Sequence, residues 1–373
     1  MKALYIAFQP LQDGSGISKK IYAQYFALKE LGLDIEFCCQ KTDNGRLCYV
    51  VDGTGIIDIL GSGLKAHMGL YCRYAGLRKY ILENHVRFVY IRYIQIATPF
   101  FLSFLKILRK NGVIVFLEIP TFPYDGEYKA HSFLKKMQQR VEKKCRTYFY
   151  KYVDRVVTYS NDLSIFGIPT IRISNGLDMA QIPLRNPVPH QGVNLICVAM
   201  FKRWHGIDRL VEGLRQYYSS RQDTKVYLRI IGNGNSYFQS VKDLVSNYSL
   251  DEYVTFEGIK TGKDLDALFD DSDLAIGCLA CHRKNVYEVR SLKNVEYAAR
   301  GIPFIYSECN DDFDGRNYVY KIVADESPVH VGALLHFIAD NHLSPLSIRK
   351  TIESDLSWVG QMEKVCMFIK RDT

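Results

Sequence analysis

Residues 182–192 read Ile-Pro-Leu-Arg-Asn-Pro-Val-Pro-His-Gln-Gly, which puts three of the chain's eleven prolines in one stretch without apolar periodicity. Proline fixes φ and has no backbone N–H to donate, so neither a helix interior nor a central strand runs through such a segment. The chain is therefore read in two parts. Before the break, strand-like runs at 3–8, 34–39, 88–92, 113–118 and 155–159 alternate with helical stretches such as 18–31 and 99–111. After it the alternation starts over, with strands expected at 194–199, 225–231, 253–257, 274–279 and 304–307 and helices at 206–217, 237–247 and 263–269. Alternating strands and helices predict an α/β fold with largely parallel sheets. Two such series predict two Rossmann-like, doubly wound domains facing a cleft, with ligands at the carboxyl ends of the strands. The expected boundaries are 1–185 for the first domain, 186–193 for the linker and 194–350 for the second, and 351–373 reads as a closing helical segment.

No run of 18 apolar residues occurs, so no membrane-spanning helix is expected. The opening Met1–Gln9 is too short for a signal-peptide core and reads as a first buried strand, which suggests a cytoplasmic protein. Ten scattered cysteines fit reduced thiols there, and the one CxxC, Cys278–Cys281, lacks the second pair that a zinc site needs. The net charge of +8 is uneven: residues 1–200 hold 26 Lys and Arg against 15 Asp and Glu, the remainder 22 against 25. The densest part is Lys135–Arg155, where cations alternate with tyrosines and a phenylalanine. Such a stretch suits an anionic membrane surface, nucleic acid or plain solvent. No nucleic-acid motif accompanies it, so nucleic acid is not an expected partner. A peripheral position on the inner face of the membrane and a solvated helix face both stay open.

The segment Tyr287–Pro303 (YEVRSLKNVEYAARGIP) concentrates the chemistry. Ser291 is placed to cap a helix whose apolar side is Leu292, Val295, Tyr297 and Ala298, and Gly301–Pro303 stops it. Glu288 then falls in the loop before the helix and Glu296 about one turn inside. Carboxylates so placed can accept hydrogen bonds from vicinal hydroxyls, while the free N–H groups of the helix start suit a diphosphate. For an isolated Glu-x7-Glu, two surface glutamates are the ordinary explanation.

The whole stretch resembles the Glu-x7-Glu motif of retaining glycosyltransferases of the GT-B fold, family 4, with Ala298, Ala299, Gly301 and Pro303 matching its small-residue turn. Other segments follow the family's order. Gly14 and Gly16 resemble its glycine loop near the donor diphosphate. The third glycine of a dinucleotide fingerprint is replaced by Lys19, which argues against a nicotinamide cofactor. Asn175–Asp178 resembles the landmark that ends the first domain. Residues 195–214 resemble the donor-phosphate segment, although the usual arginine falls near Met200 or Phe201 and the usual lysine is His205. Gly232, in Ile231–Gly234, matches a strand-turn, and Ile259 follows a strand near the nucleobase. The resemblance implies Glu296 on ribose hydroxyls and Glu288 on sugar hydroxyls. It makes Lys202, Arg203, His205 and Lys293 the candidate cations and Ser291 and Leu292 the candidate N–H donors for the phosphates.

On the acceptor side many family members carry a histidine after the strand that ends here at Glu118. None is present, and the nearest is His131. Glu118, Asp125 and Glu127 are candidates for orienting or deprotonating an acceptor hydroxyl, and Tyr90, Arg92 and Tyr93 are further polar candidates. The resemblance implies sugar transfer from a nucleotide-diphosphate co-substrate to a saccharide or lipid-linked oligosaccharide, as in capsule and exopolysaccharide synthesis, with no metal or other cofactor. A nucleotide-sugar epimerase and an inactive binding protein are the alternatives.

Overall fold

The computed structural model describes residues 1–12, 16–53, 55–124 and 133–372. The chain forms two compact units, one of Met1–Ser174 with Trp358–Thr373 and one of Asn175–Ser357. The division falls at 174/175, and the chain's last helix begins at Trp358 rather than in the 351 region. The proline-rich segment is a strap on the second unit rather than a free linker. Arg185 N–H donates to Arg300 O (2.8 Å), Val188 N–H to Asp270 O (3.1 Å) and Asn186 N–H to Asp270 Oδ1 (2.7 Å). Its prolines prevent a helix, yet the amides between them still find acceptors on one surface.

The first unit is built on a nine-stranded sheet. In chain order its strands are β1 (Lys2–Pro10), β2 (Asp34–Asp43), β3 (Arg46–Val51), β4 (Gly55–Gly61), β5 (Phe88–Arg92), β6 (Ile114–Ile119), β7 (Arg155–Thr158), β8 (Ser164–Ile165) and β9 (Ile168–Arg172). In space they run β4-β3-β2-β1-β5-β6-β7-β9-β8. The stretch β2-β1-β5-β6-β7-β9 is parallel, and β3, β4 and β8 are antiparallel additions at the edges. The β2–β3 hairpin turns at Asn44 and Gly45, both at positive φ (45° and 71°), which is the Asn-Gly signal of a two-residue hairpin. One face of the sheet buries Phe8, Ile91, Phe101 and Leu105. The other buries Tyr5, Ile21, Leu28 and Phe116 beneath the helices Gly16–Glu30 and Trp358–Asp372, the latter contributing Met362 and Val365.

The second unit holds six parallel strands, β10 (Val193–Phe201), β11 (Val226–Gly234), β12 (Val254–Gly258), β13 (Leu274–Ile276), β14 (Phe304–Tyr306) and β15 (Val319–Lys321), in the order β12-β11-β10-β13-β14-β15. The chain winds outward from β10 to β12 and then resumes on the far side of β10 at β13. That reversal leaves a crevice at the carboxyl ends of β10 and β13, where open α/β sheets bind ligands. The segments that leave those two ends are 202–206 and 277–291.

Glu118 corrects an expectation. It is fully buried at the end of β6, 2.5 Å from Arg92 Nη1, and accepts from Tyr90 OH (2.9 Å) and Tyr159 OH (3.2 Å). Both carboxylate oxygens are occupied, so Glu118 is a lock between strands rather than a base for an acceptor. Tyr90 and Arg92 are spent in the same lock, and Tyr93 OH donates to Glu142 Oε1 (2.7 Å). Removing one partner of a buried ion pair strands the other charge. Glu118→Gln is therefore expected to lower unfolding free energy by about 3–5 kcal/mol in urea titrations, whereas an unchanged midpoint with lost activity would restore the catalytic assignment.

Candidate functional site

The helix Leu292–Arg300 starts at Ser291, whose extended φ, ψ (−70°, 129°) is that of an N-cap, yet its hydroxyl makes no capping hydrogen bond. The first-turn N–H groups are therefore left without a side-chain cap, and the helix dipole adds partial positive charge there. Beside them lies Lys293. Its ammonium is shielded from solvent and has no hydrogen-bond partner. Burial alone would pull the lysine down, but the Cys278 and Cys197 sulfurs and Glu308 outweigh it and hold it above its ordinary value. An unpartnered cation on a helix whose first turn has no side-chain cap is a candidate for meeting an anion.

Glu288 and Glu296 flank this start. Glu288 is exposed in the preceding loop, where its backbone bridges to Cys309; Val289 N–H donates to Cys309 O (3.1 Å). Glu296 lies one turn in, with Oε1 accepting from Arg300 Nε (3.1 Å). Arg300 itself is fixed by Asp266 (2.8 Å) and stacks over Phe269 (4.2 Å), so Glu296 is held in orientation. Gly301 then closes the helix with left-handed φ.

The segment after β10 gives mixed results. Arg203 is exposed and lines an open cleft of about 430 Å³ with Asp208, Ser236, Tyr237, Ser240 and Leu244. Lys202 is half-buried and begins the short turn Arg203–His205. His205 contradicts its expected role as a phosphate cation. The residue is 8% exposed, and burial pulls its imidazole below the ordinary value, so it is neutral near pH 7. Nδ1 accepts from Lys202 N–H (2.8 Å), and Nε2 is left with the proton. Gly206 follows at φ 66°, and a Cβ there would also meet Leu279 and Ala280 at 2.9–3.0 Å, so both conformation and packing require glycine.

Gly232 sits within β11 opposite Ala199, and a Cβ would come within 1.9 Å of the Ala199 carbonyl. Strand approach alone thus requires this glycine. Ile259 is 65% exposed just beyond β12. Gly16 opens the first helix, while Gly14, Asp125, Glu127 and His131 lie outside the described residues.

Two residues of this neighbourhood went unread. Glu308, just past β14, is 1% exposed with Oε2 unpaired, and burial raises its carboxyl to about 8. Asn294 reaches it from the helix (Nδ2 to Oε1, 3.4 Å) with its own Oδ1 unpaired. The available signal was a Lys-Asn pair in the first turn of a helix with one apolar side, ahead of a Ser-Glu pair at a strand end.

The family profile of group 1 glycosyl transferases matches residues 192–338, most of the second unit. No curated protein sequence matches the chain. Among solved structures the chain is similar to sucrose-phosphate synthase from Thermosynechococcus elongatus (TM-score 0.63, 15% identity, 100% of each chain covered). It is also similar to a lipopolysaccharide outer core galactosyltransferase without ligand (0.61, 15%, 100% of each). A third is HepE of Anabaena in complex with UDP-glucose (0.56, 12%, 100% of each). The fold is α/β of the GT-B type, with two Rossmann-like units.

Glu308 supplies a pH test. Between the unfolded carboxyl value and about 8, the folded chain holds a proton that the unfolded chain has released, so stability falls as pH rises through that window. Relative to wild type, Glu308→Gln is expected to gain roughly 1.4 kcal/mol per pH unit across it. Urea midpoints at pH 5 and pH 8 read this difference; a gap that does not change with pH would contradict the buried, protonated carboxyl.

Proposed function

We propose that the chain is a glycosyltransferase that takes a sugar from a nucleotide-diphosphate donor held by its second unit, with retention at the anomeric carbon. The observation that carries this reading is the uncapped helix start at Ser291–Leu292 beside the unpartnered Lys293 ammonium, framed by Glu288 and Glu296. The group 1 match over the same unit supports it, as does the UDP-glucose bound to the Anabaena neighbour.

In this reading the diphosphate lies against the helix start, and Lys293 meets the charge that grows on the leaving group as the sugar–phosphate bond breaks. Lys202 and Arg203 supply further positive charge from the end of β10, so the chemistry runs without a metal. Glu296, steadied by Arg300, accepts from ribose hydroxyls, and exposed Glu288 accepts from the sugar. Neutral His205 carries no charge to phosphate; its part is to hold the turn from which Lys202 and Arg203 project.

The acceptor is a saccharide carried on a lipid, in surface polysaccharide synthesis on the inner membrane face. The helix Phe133–Arg146 supports this. Lys136, Arg140 and Lys144 are exposed on it together with Met137 and Val141, which gives a basic surface with apolar points. Among the described residues no helix is long and apolar enough to cross a membrane.

Calorimetry with UDP, GDP, ADP and CDP, without added metal, tests the donor site. One diphosphate is expected to bind, with affinity reduced at least about tenfold in Lys293→Met or Glu296→Ala and no loss of melting temperature in either. Unaltered affinity in both variants would remove the assignment. Vesicle flotation tests the basic helix: recovery on anionic vesicles is expected to exceed that on neutral ones and to fall when salt is raised, and equal recovery on the two would contradict it.

A further inference from the structure

Among the described residues, seven that are not glycine have left-handed φ, and six of them have an ordinary reason. Asn44, Asp52 and Phe166 turn hairpins, each followed by a glycine. His85, Ser249 and Asn285 stand at helix ends. Gln95, at φ 63°, does neither; it lies between β5 and the helix Pro99–Lys110. A residue with a side chain keeps that conformation only where its neighbours force it. Here they do. Tyr93 N–H donates to Glu118 O (2.9 Å) and Tyr93 OH to Glu142 Oε1 (2.7 Å). Ala97 N–H donates to the same Tyr93 oxygen (3.2 Å), and Thr98 Oγ1 donates to Tyr71 O (2.7 Å). The chain is thus pinned on both sides of Gln95, and the strain is held there.

The strained residue lines a recess of about 240 Å³ past the carboxyl end of β5, the end of an open α/β sheet that receives ligands. Its walls are Tyr71, Ala97, Met137 and Val141, and the Gln95 amide makes no hydrogen bond with the described residues. Glu142 also borders it, but that carboxylate is taken up by Tyr93, by Tyr124 OH (2.7 Å) and by Arg146 (3.3 Å). Met137 is 51% exposed and Val141 40%, one turn apart at the mouth. Lys136, Arg140 and Lys144 form the neighbouring stripe of the same helix, exposed and without an ion pair among the described residues. An apolar recess, one free amide inside it and a row of unpaired cations beside its mouth fit a molecule with a hydrocarbon end and an anionic end.

We propose that this recess binds the hydrocarbon chain of the lipid-linked acceptor where the chain meets its phosphate, and that Gln95 is the residue that positions the head of that lipid. The chain lies against Ala97, Met137 and Val141, and the Gln95 amide N–H donates to a phosphate oxygen. Lys136, Arg140 and Lys144 meet the remaining negative charge from the rim. Backbone strain that serves neither a hairpin nor a helix end is then kept because it turns the Gln95 side chain into the recess. The identity of the lipid as acceptor rests on the function proposed above, whereas the binding of an anionic amphiphile does not.

The test titrates the full chain by calorimetry with decyl phosphate below its micelle concentration, with decanol and with inorganic phosphate. Decyl phosphate is expected to bind at least about tenfold more tightly than either of the others, since it alone offers both chain and charge. Val141→Trp sets a large ring at the exposed mouth and is expected to weaken that binding about tenfold. Gln95→Gly separates ligand from fold: loss of the left-handed strain is expected to raise the melting temperature by about 2 °C while affinity for decyl phosphate falls. Decyl phosphate that binds no tighter than inorganic phosphate, or equally well to wild type and Val141→Trp, would overturn the site. Unaltered affinity in Gln95→Gly would return that residue to a structural role. Neutral vesicles carrying a polyprenyl phosphate are expected to compete with decyl phosphate about tenfold better than vesicles carrying phosphatidylglycerol at the same surface charge. Equal competition would assign the recess to bulk membrane lipid and overturn its acceptor role. Nucleoside diphosphate binding is read separately on the same preparation, and its absence would count against the proposed function while the decyl phosphate titration still decides the recess.

Discussion

A buried ammonium without a hydrogen bond is the constraint around which the second unit is organised. Lys293 stands at the start of a helix whose own cap is unused, so two kinds of positive potential converge where no protein acceptor meets them. Leaving such a group desolvated and unpaired costs several kcal/mol. Burial keeps the neighbouring Cys197 thiol and Glu308 carboxyl protonated near neutral pH, so neither is a full counter-ion to it. In the proposed reading an arriving diphosphate completes what the fold leaves open.

Holding that arrangement requires close backbone packing. Gly206 lets the turn after β10 lie on residues 279–280, and Gly232 lets β11 press against the Ala199 carbonyl. The strap at 182–192 hydrogen-bonds across the outer surface of the same unit at Asp270 and Arg300. Arg300 in turn aligns Glu296, so the proline-rich segment reaches the candidate site through one intermediary residue. Stability and the geometry of the candidate site are therefore linked in this unit.

The alternating strand–helix pattern was readable because the central parallel strands β1, β5, β6, β13 and β14 are apolar runs buried on both faces. The Phe88–Arg92 strand coincides with its expected bounds, and most others differ by one to three residues. The β2–β3 hairpin was signalled by Asn44–Gly45 and passed over, since its strands carry mixed polarity. β15, only three residues long and half exposed, offered no apolar run to find. At the site, the positions of Ser291 and Glu296 relative to the helix start follow from local capping rules. The long-range partners did not. Glu118 looked like a carboxylate at a strand mouth, but its partner Arg92 lies 26 residues earlier and only strand register brings them together. His205 looked like a cation because burial is a property of the tertiary fold, and Glu308 was hidden for the same reason.

The most direct measurement is hydrogen–deuterium exchange of the full chain with and without a binding nucleoside diphosphate. If the diphosphate lies on the helix start, slowed exchange concentrates in peptides spanning 289–296 and in the 202–206 turn, and Lys293→Met abolishes it. Protection confined to other parts of the chain, with exchange at 289–296 unaltered by the nucleotide, would contradict the account.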